Sequence, residues 1–163
     1  MNSASFGFAN EIHSVRHALS ILGEREVRRW VRLGVTLAAG QNKSSEIVLC
    51  ALVCARFCEL LSPKIKHGES DPFLLGLLSL MDSILEIPMA EVLEKVPLDH
   101  ETKAVLLGGN SHLRPLYQLM LAQKSRNWQH SAKLVKSPKL RESEVAETYW
   151  QAMPWARQMT ASP

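Results

Sequence analysis

The densest run of apolar positions in the chain covers residues 71–85. Apolar side chains recur there at helical spacing and fill most of the circumference, which is typical of a helix with neighbours on several sides. Asp71 is a suitable N-cap and Pro72 suits the first helical position, so the pattern predicts a helix that begins here. Gly76 lowers helix propensity, and we interpret it as a point of close helix–helix approach. The sequence therefore predicts a central helix around which the others pack.

Further helices are predicted from apolar stripes bounded by capping residues, glycines and prolines. These cover residues 15–22, 24–39, 45–62, 89–95, 100–107, 113–122, 128–135 and 143–156. Pro154 is expected to kink or end the last helix, because proline lacks the amide that the helix ladder needs. Strand signals are nearly absent, since no sustained alternation or hairpin dipeptide occurs. The expected fold class is all-α, an irregular multi-helix bundle of about seven to nine helices.

Length and composition indicate one folded domain over residues 1–163, with 46% apolar and 21% charged residues. The net charge of +3 is small and no dense Lys/Arg run occurs, which argues against a nucleic-acid partner. No apolar run is long enough for a membrane span and no signal peptide is evident. We therefore expect a cytoplasmic protein without a membrane partner.

The cysteines of the chain are Cys50, Cys54 and Cys58, one helical turn apart. Side chains at this spacing on a regular helix rarely reach disulfide geometry, so we interpret them as reduced thiols packed as small apolar groups. A metal site is the alternative, but no histidine lies at matching spacing. The tryptophans are likewise assigned to the core. They are Trp30, Trp128, Trp150 and Trp155.

The candidate catalytic motifs of the chain have structural interpretations. His13 and His17 have the spacing of two helix-borne metal ligands, but Arg16 between them would repel a cation. Residues 108–111 are rich in glycine, yet no strand or Lys-Ser/Thr pair accompanies them, so they indicate a helix C-cap followed by an N-cap. No residue pattern of this kind names an activity.

Charged residues at two places have a possible role beyond solvation. Arg56 and Glu59 lie within the apolar arc of helix 45–62, and Asp82 lies in the central helix. We interpret these three as a structural polar network, with ligand binding as the alternative. The helix 24–39 has an arginine face that could contact an acidic partner. This face carries Arg25, Arg28, Arg29 and Arg32.

Several segments together carry a family resemblance: residues 2–7 with 12–23, residues 51–61 and residues 73–82. The most distinctive run is Gly76-Leu77-Leu78-Ser79-Leu80-Met81-Asp82. Together these segments resemble an HDOD (HD-related output) domain. The run suits the HDOD half of bacterial proteins that join it to an EAL cyclic-di-GMP phosphodiesterase-like domain. The tail also suits this subtype, through Tyr149, Ala152, Trp155 and Ala156.

The resemblance implies a fold similar to HD-superfamily phosphohydrolases, whose metal is held by a helix histidine, a His-Asp pair and a later Asp. Where the pair would lie, this chain has Ser79 and Leu80. Near Leu49 and Cys50, where the first histidine would fall, it has neither histidine nor carboxylate. Serine and leucine cannot hold a divalent cation or activate its water. We therefore expect no catalytic residue, no metal and no cofactor.

The resemblance thus implies a non-catalytic regulatory output module in a bacterial cyclic-di-GMP-related pathway. Its partner would be a signalling protein or an attached EAL-type domain. The alternatives are a degenerate or metal-dependent HD-type phosphohydrolase, and a small-molecule sensor with a pocket around Arg56, Glu59 and Asp82. Family domains usually begin with further upstream helices, so we expect an N-terminally truncated domain. Its exposed apolar surface would favour self-association or docking to a partner.

Overall fold

The computed structural model describes residues 45–65, 68–96, 98–135 and 140–160. These residues form eight α-helices and one 3-10 helix, and they contain no strand. The all-α class predicted from the sequence is confirmed. The α-helices are α1 (Ser45–Leu61), α2 (Pro72–Leu78), α3 (Met81–Leu85), α4 (Met89–Lys95), α5 (His100–Leu106), α6 (Arg114–Lys124), α7 (Trp128–Leu134) and α8 (Glu142–Thr160). The 3-10 helix is Ser62–Lys64.

The sequence predictions for residues 1–44 lie outside the described residues. They are the first two helices, the His13 and His17 pair, and the arginine face of helix 24–39. In the part of the chain that the structure describes, no helix has the length and apolar character that a membrane span requires.

Helix α1 is the centre of the described fold. It packs against α2, α6 and α8, and most of its side chains from Ala51 to Leu61 are buried. The sequence instead predicts the segment 71–85 as the central element. The structure gives this role to α1 because it has apolar residues around almost its whole circumference, as predicted for a helix with several neighbours. Helix α2 is its most extensive partner.

The start of α2 follows the sequence prediction. The Asp71 carboxylate accepts hydrogen bonds from the amides of Phe73 (3.0 Å) and Leu74 (3.4 Å), and Pro72 occupies the first turn. This capping satisfies amides that have no partner within the helix. Every residue of Pro72–Leu78 is buried, so the predicted apolar circumference is confirmed.

The prediction of one continuous helix over 71–85 is wrong, because the chain breaks at Ser79 and Leu80. The Ser79 hydroxyl donates a hydrogen bond to the Gly76 carbonyl at 2.6 Å, and the Ser79 amide bonds to the same oxygen at 3.4 Å. Serine competes in this way with the helix ladder for backbone partners. A new helix, α3, then begins at Met81.

The sequence predicts that Pro154 kinks or ends the last helix, and the second alternative is wrong, because α8 continues through Pro154 to Thr160. Proline inside a helix costs about 3 kcal/mol, but it lies here on an exposed side of the helix where water can reach the backbone. Tertiary packing offsets the cost. Tyr149 packs edge-on against Phe57 of α1 with ring centroids 5.7 Å apart, and Trp155 packs against Phe73 of α2 at 6.0 Å.

The close approach predicted at Gly76 is confirmed. A Cβ atom added there would lie 2.6 Å from Cα of Ala55 and also within 3 Å of the carbonyl group of Cys54. These are backbone atoms of α1, which cannot move aside as a flexible side chain can. The absence of a side chain at Gly76 therefore sets the distance between the two helices.

Replacement of Gly76 by alanine is expected to lower the free energy of unfolding by about 2–3 kcal/mol or more, because the two backbones must separate. Urea denaturation followed by circular dichroism measures this change. Gly109→Ala is the control, since it is exposed and the nearest atoms to its Cβ would be backbone atoms of Ala104, 3.0 Å away or farther. Equal stability of Gly76→Ala and the parent chain would contradict the close-contact interpretation.

Candidate functional site

The position at which the resemblance places a His-Asp pair is the break between α2 and α3. The hydroxyl of Ser79 is bonded to the Gly76 carbonyl, and the Leu80 side chain is only 6% exposed. Neither group offers a carboxylate or imidazole to a cation. Within the described residues, no group of three or more His, Cys, Asp or Glu is placed to hold a metal ion. The residues at this break therefore do not fit the metal of an HD-type centre.

The predicted pair Arg56 and Glu59 is brought together by the structure. Their side chains form a half-buried ion pair, with Arg56 Nη1 2.6 Å from Glu59 Oε2. The Arg56 guanidinium also lies over the Trp155 ring, 5.5 Å from its centroid. This cation–π contact joins α1 to α8 and gives the arginine a packing role.

Asp82 does not join this pair through the hydrogen bonds that the structure gives it. Its Oδ1 accepts from the amide of the neighbouring Ser83 at 2.7 Å and from the Ser83 hydroxyl at 3.3 Å, both in an exposed environment. A cavity lined by residues between 123 and 153 lies elsewhere. It is not the pocket around Arg56, Glu59 and Asp82 that the sensor alternative expects.

A cavity of about 500 Å³ lies where the C-terminal end of α6 meets α7 and the middle of α8. We call it the α6–α8 groove. It is lined by Gln123, Lys124, Arg126, Trp128, Tyr149, Trp150 and Met153. Its walls are therefore aromatic and apolar, with two cationic side chains and no carboxylate.

The assignment of Trp128 and Trp150 to the core is wrong, since their side chains are 52% and 66% exposed. Trp155, by contrast, packs against Phe73. The helical period of α8 already separates the two kinds of position. Its buried residues are Val145, Ala152 and Ala156, and Trp150 lies off that stripe.

Arg126 adopts an unusual backbone conformation beside the groove, with φ of 55°. This left-handed region normally favours glycine or asparagine after a helix. The turn itself is well bonded, because the Asn127 amide reaches the Ala122 carbonyl at 2.9 Å and the Arg126 amide reaches the Gln123 carbonyl at 3.1 Å. An arginine held in a strained conformation is more common at functional sites than elsewhere.

Gln123 forms part of the groove wall and is 2% exposed. Its Nε2 donates to the Ser131 hydroxyl at 2.8 Å, while its Oε1 has no hydrogen-bond partner and is the one buried side-chain atom of the described residues in this state. A buried polar atom without a partner costs about 1–3 kcal/mol. A residue of the groove wall therefore has one unsatisfied hydrogen-bond acceptor.

The thiols of α1 lie close to the groove residues Tyr149 and Lys124. Burial, with smaller effects of Cys54 and Cys50, raises the pKa of Tyr149 to about 12, so the phenol stays protonated at neutral pH. The hydrogen bond from Cys54 and the charge of Lys124 lower the pKa of Cys50 to about 6, although partial burial opposes them.

The prediction of free thiols packed as small apolar groups is confirmed for Cys54 and Cys58, which are free and have no exposed surface. The hydrogen bond to Cys50 and burial raise the pKa of Cys54, and burial raises that of Cys58. Cys50 differs because it is also free but half-buried. A thiolate there would be the most reactive of the three.

One protein-family model matches most of the chain. The model of the HDOD domain matches residues 1–105. The chain is 27% identical over 163 residues to the uncharacterized protein YuxH of Bacillus subtilis (strain 168), covering 98% of the chain and 39% of that protein. It is 28% identical over 131 residues to the cyclic di-GMP phosphodiesterase CdgJ of Vibrio cholerae, covering 79% of the chain and 30% of that protein.

The chain thus spans less than two fifths of the length of either relative. No solved structure is significantly similar to it. The α6–α8 groove lies beyond residue 105, outside the part of the chain that the family model matches.

We expect the alkylation rate of Cys50 by iodoacetamide to rise from pH 5 to pH 7 and then level off, following its pKa of about 6. The reason is that the thiolate is the nucleophile, and a lowered pKa makes it abundant at lower pH. Mass spectrometry of the folded protein would locate the modification, with Cys54 and Cys58 unmodified.

Two variants serve as controls for this profile. Cys50→Ser should remove the fast reaction, and Lys124→Ala should move the midpoint to higher pH. A midpoint at the ordinary thiol pKa of about 8.5 would contradict the interpretation.

Proposed function

The chain belongs to the HDOD domain family, and from this premise we propose that it is a non-catalytic regulatory output module. In this role it binds a signalling protein or an attached EAL-type domain and changes that domain's activity. Its context is a cyclic-di-GMP-related pathway in the bacterial cytoplasm.

The observation that carries this proposal is the chemistry of the break between α2 and α3. An HD-type hydrolase needs metal ligands at this place, and the chain has a serine hydroxyl already bonded to Gly76 and a buried leucine. Without a bound cation the position cannot lower the pKa of a water molecule or polarise a phosphoryl oxygen. In this proposal the residues at the break have a structural role, and the domain acts through its interaction with other domains.

The pathway context rests on the relatives. CdgJ, with which the chain shares 28% identity over 131 residues, is named a cyclic di-GMP phosphodiesterase. Because the match covers 30% of CdgJ, the chain is similar to one part of that protein. We assign to the chain the regulatory role and leave phosphodiester hydrolysis to a separate domain or partner.

The absence of catalysis is tested by incubation of the purified full chain with cyclic di-GMP and with bis(p-nitrophenyl) phosphate, each with Mn²⁺ or Fe²⁺. We expect product formation equal to that of buffer with the same metal. Metal-dependent turnover, together with stoichiometric manganese or iron that survives gel filtration, would show the alternative, an HD-type phosphohydrolase, to be correct.

The interaction role is tested by affinity capture of the tagged chain, at native expression, from lysate of its own organism. We expect one near-stoichiometric partner that carries an EAL, diguanylate cyclase or histidine kinase domain. Serine replacements at Arg25, Arg28, Arg29 and Arg32 should reduce its recovery severalfold if the arginine face is the contact. Lys133→Ser with Arg157→Ser is the control for charge removal elsewhere.

We call the binding of a separate signalling protein the adaptor role. Recovery of the chain alone, or with copies of itself only, would contradict it. Unchanged recovery with the four arginine replacements would exclude the arginine face as the contact and leave the adaptor role in place.

A further inference from the structure

The dimensions of the α6–α8 groove suit a small molecule. Its volume of about 500 Å³ lies within the range of about 300–1,000 Å³ that is typical of small-molecule pockets. Such pockets combine apolar and aromatic walls with a few well-placed polar groups. The groove has this composition, with three aromatic rings and a methionine beside two cations and one amide.

The charged side chains that line the groove favour an anionic ligand. Lys124 and Arg126 line it, and neither forms an ion pair with a described residue. The lining contains no carboxylate, and the anionic group that interacts with Lys124 is the Cys50 thiolate of α1, which does not line the groove. Arg126 lies at the turn that borders the groove and has a left-handed backbone, with φ of 55°. Arginine binds phosphate through paired donors, and lysine binds it as a point charge.

The aromatic side chains of the groove favour a ligand with a planar group. Trp128 and Trp150 keep 52% and 66% of their surfaces exposed although both line the same cavity. Tyr149 adds a third ring, whose orientation is held by edge contact with Phe57. Indole and phenol rings stack on nucleobases of any sequence, because every base presents a flat π-face.

The residues of the groove wall include one hydrogen-bond acceptor without a partner. The Oε1 atom of Gln123 is buried without a partner, while the other end of the amide is held by Ser131 at 2.8 Å. The edge of a nucleobase carries N–H groups that can satisfy such an acceptor. A phosphate ion or a purely apolar ligand has no N–H group for this acceptor.

We propose that the α6–α8 groove is a nucleotide-binding site, in which the base stacks on Trp128 and Trp150 and the phosphate contacts Lys124 and Arg126. An N–H of the base meets Gln123. This inference goes beyond the proposed function and does not depend on it, because it concerns residues outside the region that the family model matches.

The test is isothermal titration of the purified full chain with guanosine 5′-monophosphate, cyclic di-GMP, guanosine and inorganic phosphate. We expect saturable binding of one or both nucleotides at one site per chain. Their affinity should exceed that of guanosine and of phosphate by about tenfold or more, because only the nucleotide uses both ends of the groove.

Three variants test the assigned contacts. Trp150→Ala should weaken nucleotide binding by about tenfold through loss of a stacking surface. Arg126→Gly should weaken it as well, although glycine relieves the left-handed strain and should preserve or increase thermal stability. Gln123→Met should weaken binding of the nucleotides and of guanosine without changing that of phosphate. Circular dichroism checks that each variant is folded.

The controls are exposed residues outside the lining, Leu107→Ala and Arg157→Ala, which should bind as the parent chain does. Lack of saturable binding by either nucleotide up to millimolar concentration would overturn the proposal. So would equal affinity for phosphate alone, which indicates an adventitious ion only, or unchanged binding by Trp150→Ala and Arg126→Gly. None of these outcomes bears on partner capture, so failure here is distinct from failure of the adaptor role.

Discussion

The contact between the backbones of α1 and α2 at Gly76 is the constraint on which the rest of the described fold depends. It requires small residues on both helices, and α1 supplies them in a stripe of Ala51, Cys54, Ala55 and Cys58, all fully buried. The cysteines at the centre of this stripe therefore serve first through their size. With α2 fixed at this distance, Phe73 reaches Trp155 and the long helix α8 is held against the pair.

The same region bears on the proposed absence of hydrolase chemistry. The chain must leave α2 just after the close contact, and Ser79 ends the helix by bonding to the carbonyl of Gly76. Leu80 then turns into the apolar interior. Ser79 thus ends a helix and Leu80 is buried, and a metal-binding His-Asp pair would suit these places poorly, because charged ligands need partners when they are buried.

Local rules in the sequence predicted the start of α2, the bounds of α4 and the start of α5 at His100, where the Asp99 carboxylate accepts the Thr102 amide at 2.9 Å. They failed where tertiary contacts decide. The break at Ser79 depends on a hydrogen bond that competes with helix continuation, and the passage of α8 through Pro154 depends on aromatic packing to α1 and α2. In both places, propensity alone gives the wrong boundary.

The groove could not be predicted, because its residues come from two separate parts of the chain, 123–128 and 149–153. Each residue has an ordinary explanation in the sequence, and only their assembly reveals two exposed tryptophans beside two cations that form no ion pair with a described carboxylate. Its position also links it to the core. Tyr149 touches the groove on one side and Phe57 of α1 on the other, and the same helix holds Trp155 against Phe73. Helix α8 therefore contributes residues to the groove and also packs against α1 and α2.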